Sequence, residues 1–256
     1  MLVDSHCHLD FPEIADQLDA VFQLMRENQV ERALCVSVTL EDFPRVRQLA
    51  ETYPHIHGSV GVHPDYEKVD AVSVEELMAL ADSPRIVAIG ETGLDYFRLT
   101  GDLEWQRERF RTHIRAAREC GKPLIIHTRA AAEDTLRIMR EEGADKAGGV
   151  MHCFTESAEV AKAAMDLGFY ISFSGIVTFK NARDIKAVAT AVPLENILVE
   201  TDSPYLAPVP YRGRTNQPGY VKHVAEEIGR LKGVPFDQVC SITTKNFFNL
   251  FNSIKG

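Results

Sequence analysis

Short runs of apolar, largely β-branched residues alternate along this chain with longer amphipathic stretches. Eight runs have the length and composition of buried strands: 2–5, 33–38, 57–62, 86–90, 123–126, 149–152, 170–174 and 197–200. They are largely apolar at successive positions rather than at every second one, as expected of parallel strands covered on both faces. Between them the period changes. Ile14, Leu18, Val21, Phe22 and Met25 share one helical face over 13–28, and Phe43, Val46, Leu49, Ala50 and Tyr53 share another over 42–53. Trp105, Phe110, Ile114 and Ala117 mark a helix over 103–120, and further helices are predicted at 133–142, 157–167, 180–190 and 221–232. The stretch 236–254 reads as a closing helix or two, with an apolar face of Phe247, Phe248, Leu250 and Phe251. Strand–helix alternation specifies parallel βαβ units. Eight such units predict an α/β fold of the (β/α)8 TIM-barrel type, with an open doubly wound sheet as the competing arrangement.

The chain's 256 residues match the size of one such barrel, about 250 residues. There is no internal repeat, low-complexity tract or linker, so residues 1–256 are expected to form a single domain. The segment 203–220 is irregular and proline-rich. Loops of that length are often functional, and Tyr205, Tyr211, Arg212, Arg214 and Asn216 are candidates to overhang a barrel mouth. A rigid structural connection is the competing reading.

Charge and cysteine usage narrow the function. The formal net charge is −9, which argues against a basic face as the main grip on duplex nucleic acid. A polyanionic substrate remains open, because bound divalent cations invert a local potential. The five cysteines are odd in number and form no C-x-x-C pair, which argues against a disulfide framework or thiolate zinc site and for a reducing cytoplasm. The N-terminus MLVDSHCHLD has no basic segment before an apolar one, so no signal peptide is expected. No apolar run approaches the roughly 20 residues that span a bilayer.

Metal-capable side chains recur at one end of the predicted strands. His6 and His8 end the first, His63 follows the third, Glu91 follows the fourth, His127 and His152 end the fifth and sixth, and Asp202 follows the eighth. In a barrel that end carries the active site. His6 and His8 share a strand face, so Cys7 points away from them. Cys153 is expected to point away from His152 by the same alternation. Asp4 and Asp10 are placed to orient imidazole nitrogens. Glu91, flanked by Gly90 and Gly93 after a buried run, has little reason to be there unless paired or metal-bound, and its two oxygens suit bridging. Asp202 is assigned to metal binding and general-base work, and Glu200, deeper on the same face, to a ligand contact. His63 is a candidate to hydrogen-bond substrate or a ligand, and Arg129 and Arg214 to hold phosphate oxygens. His55, His113 and His223 do not fit this constellation and read as structural. Each residue alone has a bland alternative, a hydrogen-bonded core histidine or a solvated loop carboxylate. Their shared position at one barrel end carries the argument.

At these residues the chain resembles the TatD family of metal-dependent hydrolases and deoxyribonucleases, most closely its bacterial YcfH branch. The matching strings are DSHCHLD, GVHP, IGETGLDY, KPLIIHTR, GGVMHCFT, GFYISFSGIVTFKNA and ILVETDSPYLAPVPYRG, spread over essentially the whole length. The resemblance implies an amidohydrolase-like barrel with two divalent ions, magnesium, manganese or zinc. His6, His8, Glu91 and Asp202 would hold one ion, and Glu91, His127 and His152 the other. It also implies a nuclease. Related sequences commonly carry an acidic residue after H-T-R, where this chain has Ala130. The expected function is hydrolysis of phosphodiester bonds by a 3′ exonuclease on single-stranded DNA, with Asp202 and Glu91 as the catalytic pair and His63, Arg129, Glu200 and Arg214 on the substrate side. The same ligand set would serve hydrolysis of another ester or an amide, such as an aminoacyl-tRNA or a lactone. A non-catalytic metal scaffold would instead have a closed ligand shell without a water position. No membrane and no obligate protein partner is expected.

Overall fold

The apolar runs pair in chain order into one parallel sheet: β1 (Leu2–Cys7), β2 (Val30–Cys35), β3 (Ile56–Val60), β4 (Ile86–Asp95), β5 (Leu124–Arg129), β6 (Gly149–Met151), β7 (Phe169–Phe173) and β8 (Ile197–Val199). The computed structural model describes residues 1–69 and 71–254. The strand order never reverses, as a doubly wound sheet would require. The two outer strands meet instead. Cys7 bridges Ser203, the His8 amide donates to the Ser203 carbonyl at 2.8 Å, and the Asp202 amide donates to the His6 carbonyl at 2.9 Å. Ser5 Oγ adds a bond to the Val199 carbonyl at 3.0 Å. The result is a nearly closed (β/α)8 barrel, tied at the end from which the strand C-termini emerge.

Among the described residues ten helices surround it: α1 (Pro12–Ala15), α2 (Leu18–Glu27), α3 (Phe43–Thr52), α4 (Val74–Ala81), α5 (Glu104–Cys120), α6 (Ala132–Glu141), α7 (Ala158–Asp166), α8 (Arg183–Ala191), α9 (Val221–Lys232) and α10 (Phe236–Leu250). Among the described residues no helix is long and apolar enough to cross a membrane. The helix expected over 13–28 is broken after Ala15. Gln17 leaves the helical region at φ −139°, and its side-chain amide donates to the Glu13 carbonyl, which a continuous helix would offer to the Gln17 backbone. The helix α4 is not among those the apolar periodicity predicts, although Ser73 announces it. The Ser73 hydroxyl accepts from the Glu76 amide at 3.1 Å, and Ser-x-x-Glu is an N-terminal capping signature.

Two apolar cores follow from the layers. The outer one lies between strands and helices and includes Ile14, Phe22, Phe110, Ile114 and Phe169. The inner one fills the barrel with Val3, Leu34, Val36, Val87, Ile125, Val150 and Leu198, joined by Phe247 and Phe251 at the end of α10 and by Ile254. Asn246 fixes α10 there by donating to the Leu194 and Ile197 carbonyls at the entry to β8. The strand N-termini are therefore plugged with hydrocarbon, and the polar cavity can open only at the other pole.

Register shifts interrupt β1 between Asp4 and Cys7 and β4 between Ile89 and Thr92. The first passes the inward face from Val3 and Ser5 to His6 and His8, and leaves Cys7 in the outer core with its thiol donating to the Leu34 carbonyl. Irregularities of this kind re-aim side chains beside functional sites.

Replacing Phe251, fully buried at the plug, with alanine is expected to cost about 3–5 kcal/mol of unfolding free energy. Urea titration measures this, and a loss below about 1 kcal/mol would show that α10 does not close the inner core.

Candidate functional site

Six of the strands deliver side chains to one cavity of about 750 Å³ at the C-terminal pole, with His8, His63, Glu91, His127, His152 and Asp202 in its wall. Glu91 lies at its centre. The sequence places this residue just after a strand, but β4 runs on through Asp95, so Glu91 is held by the sheet itself. Gly90 and Gly93 make this possible. Both have positive φ, and a Cβ on Gly93 would collide with the His127 carbonyl oxygen of β5.

The two Glu91 oxygens face different partners. Oε2 lies 3.3 Å from His6 Nε2. Oε1 lies 2.8 Å from His152 Nε2, 3.2 Å from His127 Nδ1 and 3.3 Å from His63 Nε2. On the seam side, Asp202 Oδ1 is 3.6 Å from His6 Nε2 and 3.5 Å from His8 Nε2. The His6 and His152 rings are stacked at 3.9 Å. Despite these distances, His6 Nδ1 and Nε2 and His152 Nε2 have no hydrogen-bond partner, although all are buried. Buried polar atoms are normally satisfied. Lone pairs pointed at one another across about 3 Å are what a cation would satisfy, and imidazole with carboxylate suits a divalent ion. Donor atoms of His6, His152 and Asp202, and of His6, His8 and Glu91, each lie within 4.8 Å of one another. The residues present therefore fit metal ions.

Hydrogen bonds outside the cluster fix which ring nitrogen faces in. His8 Nδ1 donates to the Val36 carbonyl at 2.9 Å, which leaves Nε2 as the inward lone pair. His152 Nδ1 donates to Glu200 Oε1 at 3.2 Å, and His127 Nε2 donates to Asp95 Oδ2 at 3.1 Å. Such outer partners set the tautomer and raise ligand basicity. His63 is the opposite case. Its Nδ1 accepts from the Asp65 amide at 3.1 Å, so the neutral ring carries its proton on Nε2, facing Glu91. Burial first, with the neighbouring imidazoles, lowers its pKa to about 3 despite Glu91. His63 is thereby a neutral hydrogen-bond donor rather than a lone-pair donor to a cation.

Several sequence expectations are corrected here. Glu200 does not face substrate. It is fully buried, with Oε1 accepting from the Cys153 amide at 2.8 Å and from His152. Arg214 is exposed and lies outside the cavity wall. Asp4 and Asp10 touch no imidazole. Asp4 accepts from Thr201 and the His6 amide and so ties the barrel seam, while Asp10 accepts from the Cys35 thiol. Cys153 does line the cavity, because it follows the end of β6 at φ 44°, where strand alternation no longer applies. Of the long loop, Tyr205 and Leu206 reach the cavity. Asn216 is buried and holds the loop through the Thr201 and Tyr205 carbonyls, and Tyr211 stacks on Tyr220 at 4.0 Å. Arg129 does line the cavity, stacked over Phe97 at 3.9 Å. His113 is structural, bonded to the Val62 amide and the Arg109 carbonyl.

Asp95 is the functional residue the sequence reading missed. It shares strand parity with Glu91, which becomes visible only once β4 is known to extend past Gly90. The Phe97 and Arg98 amides also donate to it, and buried Gln106 of α5 accepts from its own amide.

The chain is similar to known proteins over its whole length. A family model described as TatD related DNase matches residues 3–252. The uncharacterized metal-dependent hydrolase YcfH of Escherichia coli K12 is 48% identical over 98% of this chain and 96% of its own length. The uncharacterized metal-dependent hydrolase YabD of Bacillus subtilis is 43% identical over 98% and 99%. The crystal structure of YjjV, a TatD homologue from Escherichia coli K12, superimposes with a TM-score of 0.91 at 30% identity, over 98% of each chain.

Protons and metal compete at this cluster. Burial opposes charge on His8, but Asp202 outweighs it and raises its pKa to about 9. Burial likewise opposes charge on His127 and His152, yet Asp95 and Glu91 raise the first, and Glu91 and Glu200 raise the second. A cation must displace those protons, so binding near about pH 7 is expected to release protons and to tighten as pH rises toward 9. Calorimetry in buffers of different ionisation enthalpy reads the release directly, and no release would contradict these protonation states. Asp95→Ala is expected to weaken metal binding by about 10–100-fold, measured by competition with a chelator. Wild-type affinity in that variant would remove Asp95 from the positioning role.

Proposed function

From the premise that this chain belongs to the TatD family and is a metal-dependent hydrolase, we propose that it is a deoxyribonuclease releasing nucleotides from the 3′ end of single-stranded DNA. Two divalent ions, magnesium, manganese or zinc, would be held by the residues gathered around Glu91. The observation that carries this is the split of the Glu91 carboxylate, one oxygen toward His6 and the other toward His127 and His152. His6, His8, Glu91 and Asp202 would hold one ion, and Glu91, His127 and His152 the other. Bound there, divalent ions polarise a phosphoryl oxygen and lower the pKa of water at neutral pH.

The chain's own groups supply the rest. Asp202 is held ionised: burial alone would raise its pKa, but the His8 hydrogen bond and the charges of His6, His152 and His8 lower it. Its side chain remains 16% exposed to the cavity and is the group placed to take a proton from water. His63 Nε2–H and the Arg129 guanidinium face the same space and would hold nonbridging phosphate oxygens. A cavity of about 750 Å³, with Phe11, Tyr66 and Tyr205 in its wall, has the size and surface for a terminal nucleotide but not for a duplex. It is also open to solvent, unlike the closed shell of a structural metal site.

Glu91→Ala is expected to lose bound metal and hydrolysis together. Asp202→Asn is expected to turn over about 10²–10⁴-fold more slowly on single-stranded DNA with a free 3′ end. Metal analysis and an exonuclease time course on reconstituted protein check both. Full metal content and turnover in Glu91→Ala would refute the bridging role. Equal inactivity of wild type and Asp202→Asn on DNA would refute the nuclease. Hydrolysis of an ester, lactone or aminoacyl-tRNA panel by the same samples would then identify the substrate class.

A further inference from the structure

Two arginines at the catalytic pole place their guanidinium groups over phenylalanine rings. Arg129 at the end of β5 stacks on Phe97 at 3.9 Å, and Arg212 in the loop after β8 stacks on Phe179 in the loop after β7 at 3.7 Å. Arg129 lines the cavity, and Phe97, Phe179 and Arg212 lie outside its wall. The first pair stands at the ends of β4 and β5 and the second in the loops after β7 and β8, so β6 lies between them on one side of the rim and β1, β2 and β3 on the other.

Both pairs are held and open. The Tyr96 amide donates to the Arg129 carbonyl and the Phe97 amide to Asp95, which pins the first pair to the sheet. Thr178 Oγ1 accepts from the Val209 amide at 2.9 Å, which ties the two loops carrying the second. Phe97 is 64% exposed, so its ring face opposite Arg129 is free. At the second pair Arg212 is the exposed member, so the free plane is the guanidinium.

The charge around the mouth is uneven. Lys180 and Arg214 extend the second pair along the loops after β7 and β8. The loops after β2 and β3 carry Glu41, Asp42, Asp65 and Glu67 against Lys68 among their described residues. On a chain of net charge −9 this basic arc is a local reversal, and a polyanion leaving the cavity is directed along it and away from the acidic sector.

We propose that Phe179 and Arg212 form a second stacking site, outside the cavity, for an upstream nucleotide of a single-stranded nucleic acid whose terminal nucleotide stacks on Phe97 with Arg129 at its phosphate. This rests on the nuclease reading above and deepens it. Arg–Phe planes beside backbone cations grip single strands without reading sequence. The site makes strand length, rather than base identity, the determinant of capture. A terminal dinucleotide spans only the cavity, and a longer strand gains the second plane.

The test is the ratio of kcat/KM for a single-stranded oligonucleotide of about ten nucleotides to that for a dinucleotide, in metal-reconstituted protein. Phe179→Ala is expected to lower this ratio about tenfold through KM, and Phe179→Trp to retain it. Arg212→Ala is expected to lower the ratio and to flatten its salt dependence by about 0.7 in the log–log slope, the contribution of one phosphate on a single strand. Thermal unfolding and metal content, measured on the same samples, separate these effects from misfolding. A wild-type ratio in both alanine variants overturns the second site while leaving the nuclease intact. Hydrolysis of neither substrate by the wild type overturns the nuclease and this site with it.

Discussion

The structure turns on the burial of one carboxylate. Glu91 is 2% exposed, at the top of an apolar barrel, and an ionised carboxylate there is costly unless positive charge surrounds it. The fold answers with imidazoles from four strands or their ends, all aimed at its two oxygens. Burial by itself would raise the Glu91 pKa, yet the His152 and His63 imidazoles, with the close approach of His127, lower it well below the ordinary carboxylate value. Whether protons or cations supply the compensation, the site is built to be positive around a fixed negative centre.

That centre explains features which look unrelated. The register shifts in β1 and β4 aim His6, His8 and Glu91 inward, and Gly90 and Gly93 let β4 approach β5 closely enough to do so. Asp95, Glu200 and the Val36 carbonyl hold the outer nitrogens of His127, His152 and His8. The Asp4–Thr201 bonds and the β1–β8 seam hold Asp202 against His6 and His8. At the opposite pole α10 seals the barrel with Phe247 and Phe251. The interior thus grades from hydrocarbon at the plug to ligand atoms at the mouth, and chemistry is confined to one end.

The rim determines what can approach. Tyr66 and Tyr205 stand 39% and 53% exposed beside the opening, aromatic surface compatible with the flat, anionic ligand proposed above. The overall acidity of the chain is compatible with such a ligand because the acidic and basic loops occupy different sectors.

The sequence by itself determined the barrel and set seven metal-capable side chains at one end of it. Eight buried runs separated by helical periods leave few topologies, and a residue at the end of a buried strand has its location set by the strand. It also separated His113 from the site correctly. Only the tertiary structure decided the remainder. Glu200 was legible as a carboxylate near the site, but its partner, His152, lies 48 residues away and becomes a neighbour through β6–β7–β8 pairing. Asp95 was hidden because glycines at 90 and 93 read as the end of a strand when they are what lets β4 continue. Cys153 and Arg214 were misplaced because alternation and loop length are local rules. Beyond the last sheet hydrogen bond, a side chain's direction is set by contacts that no local pattern records.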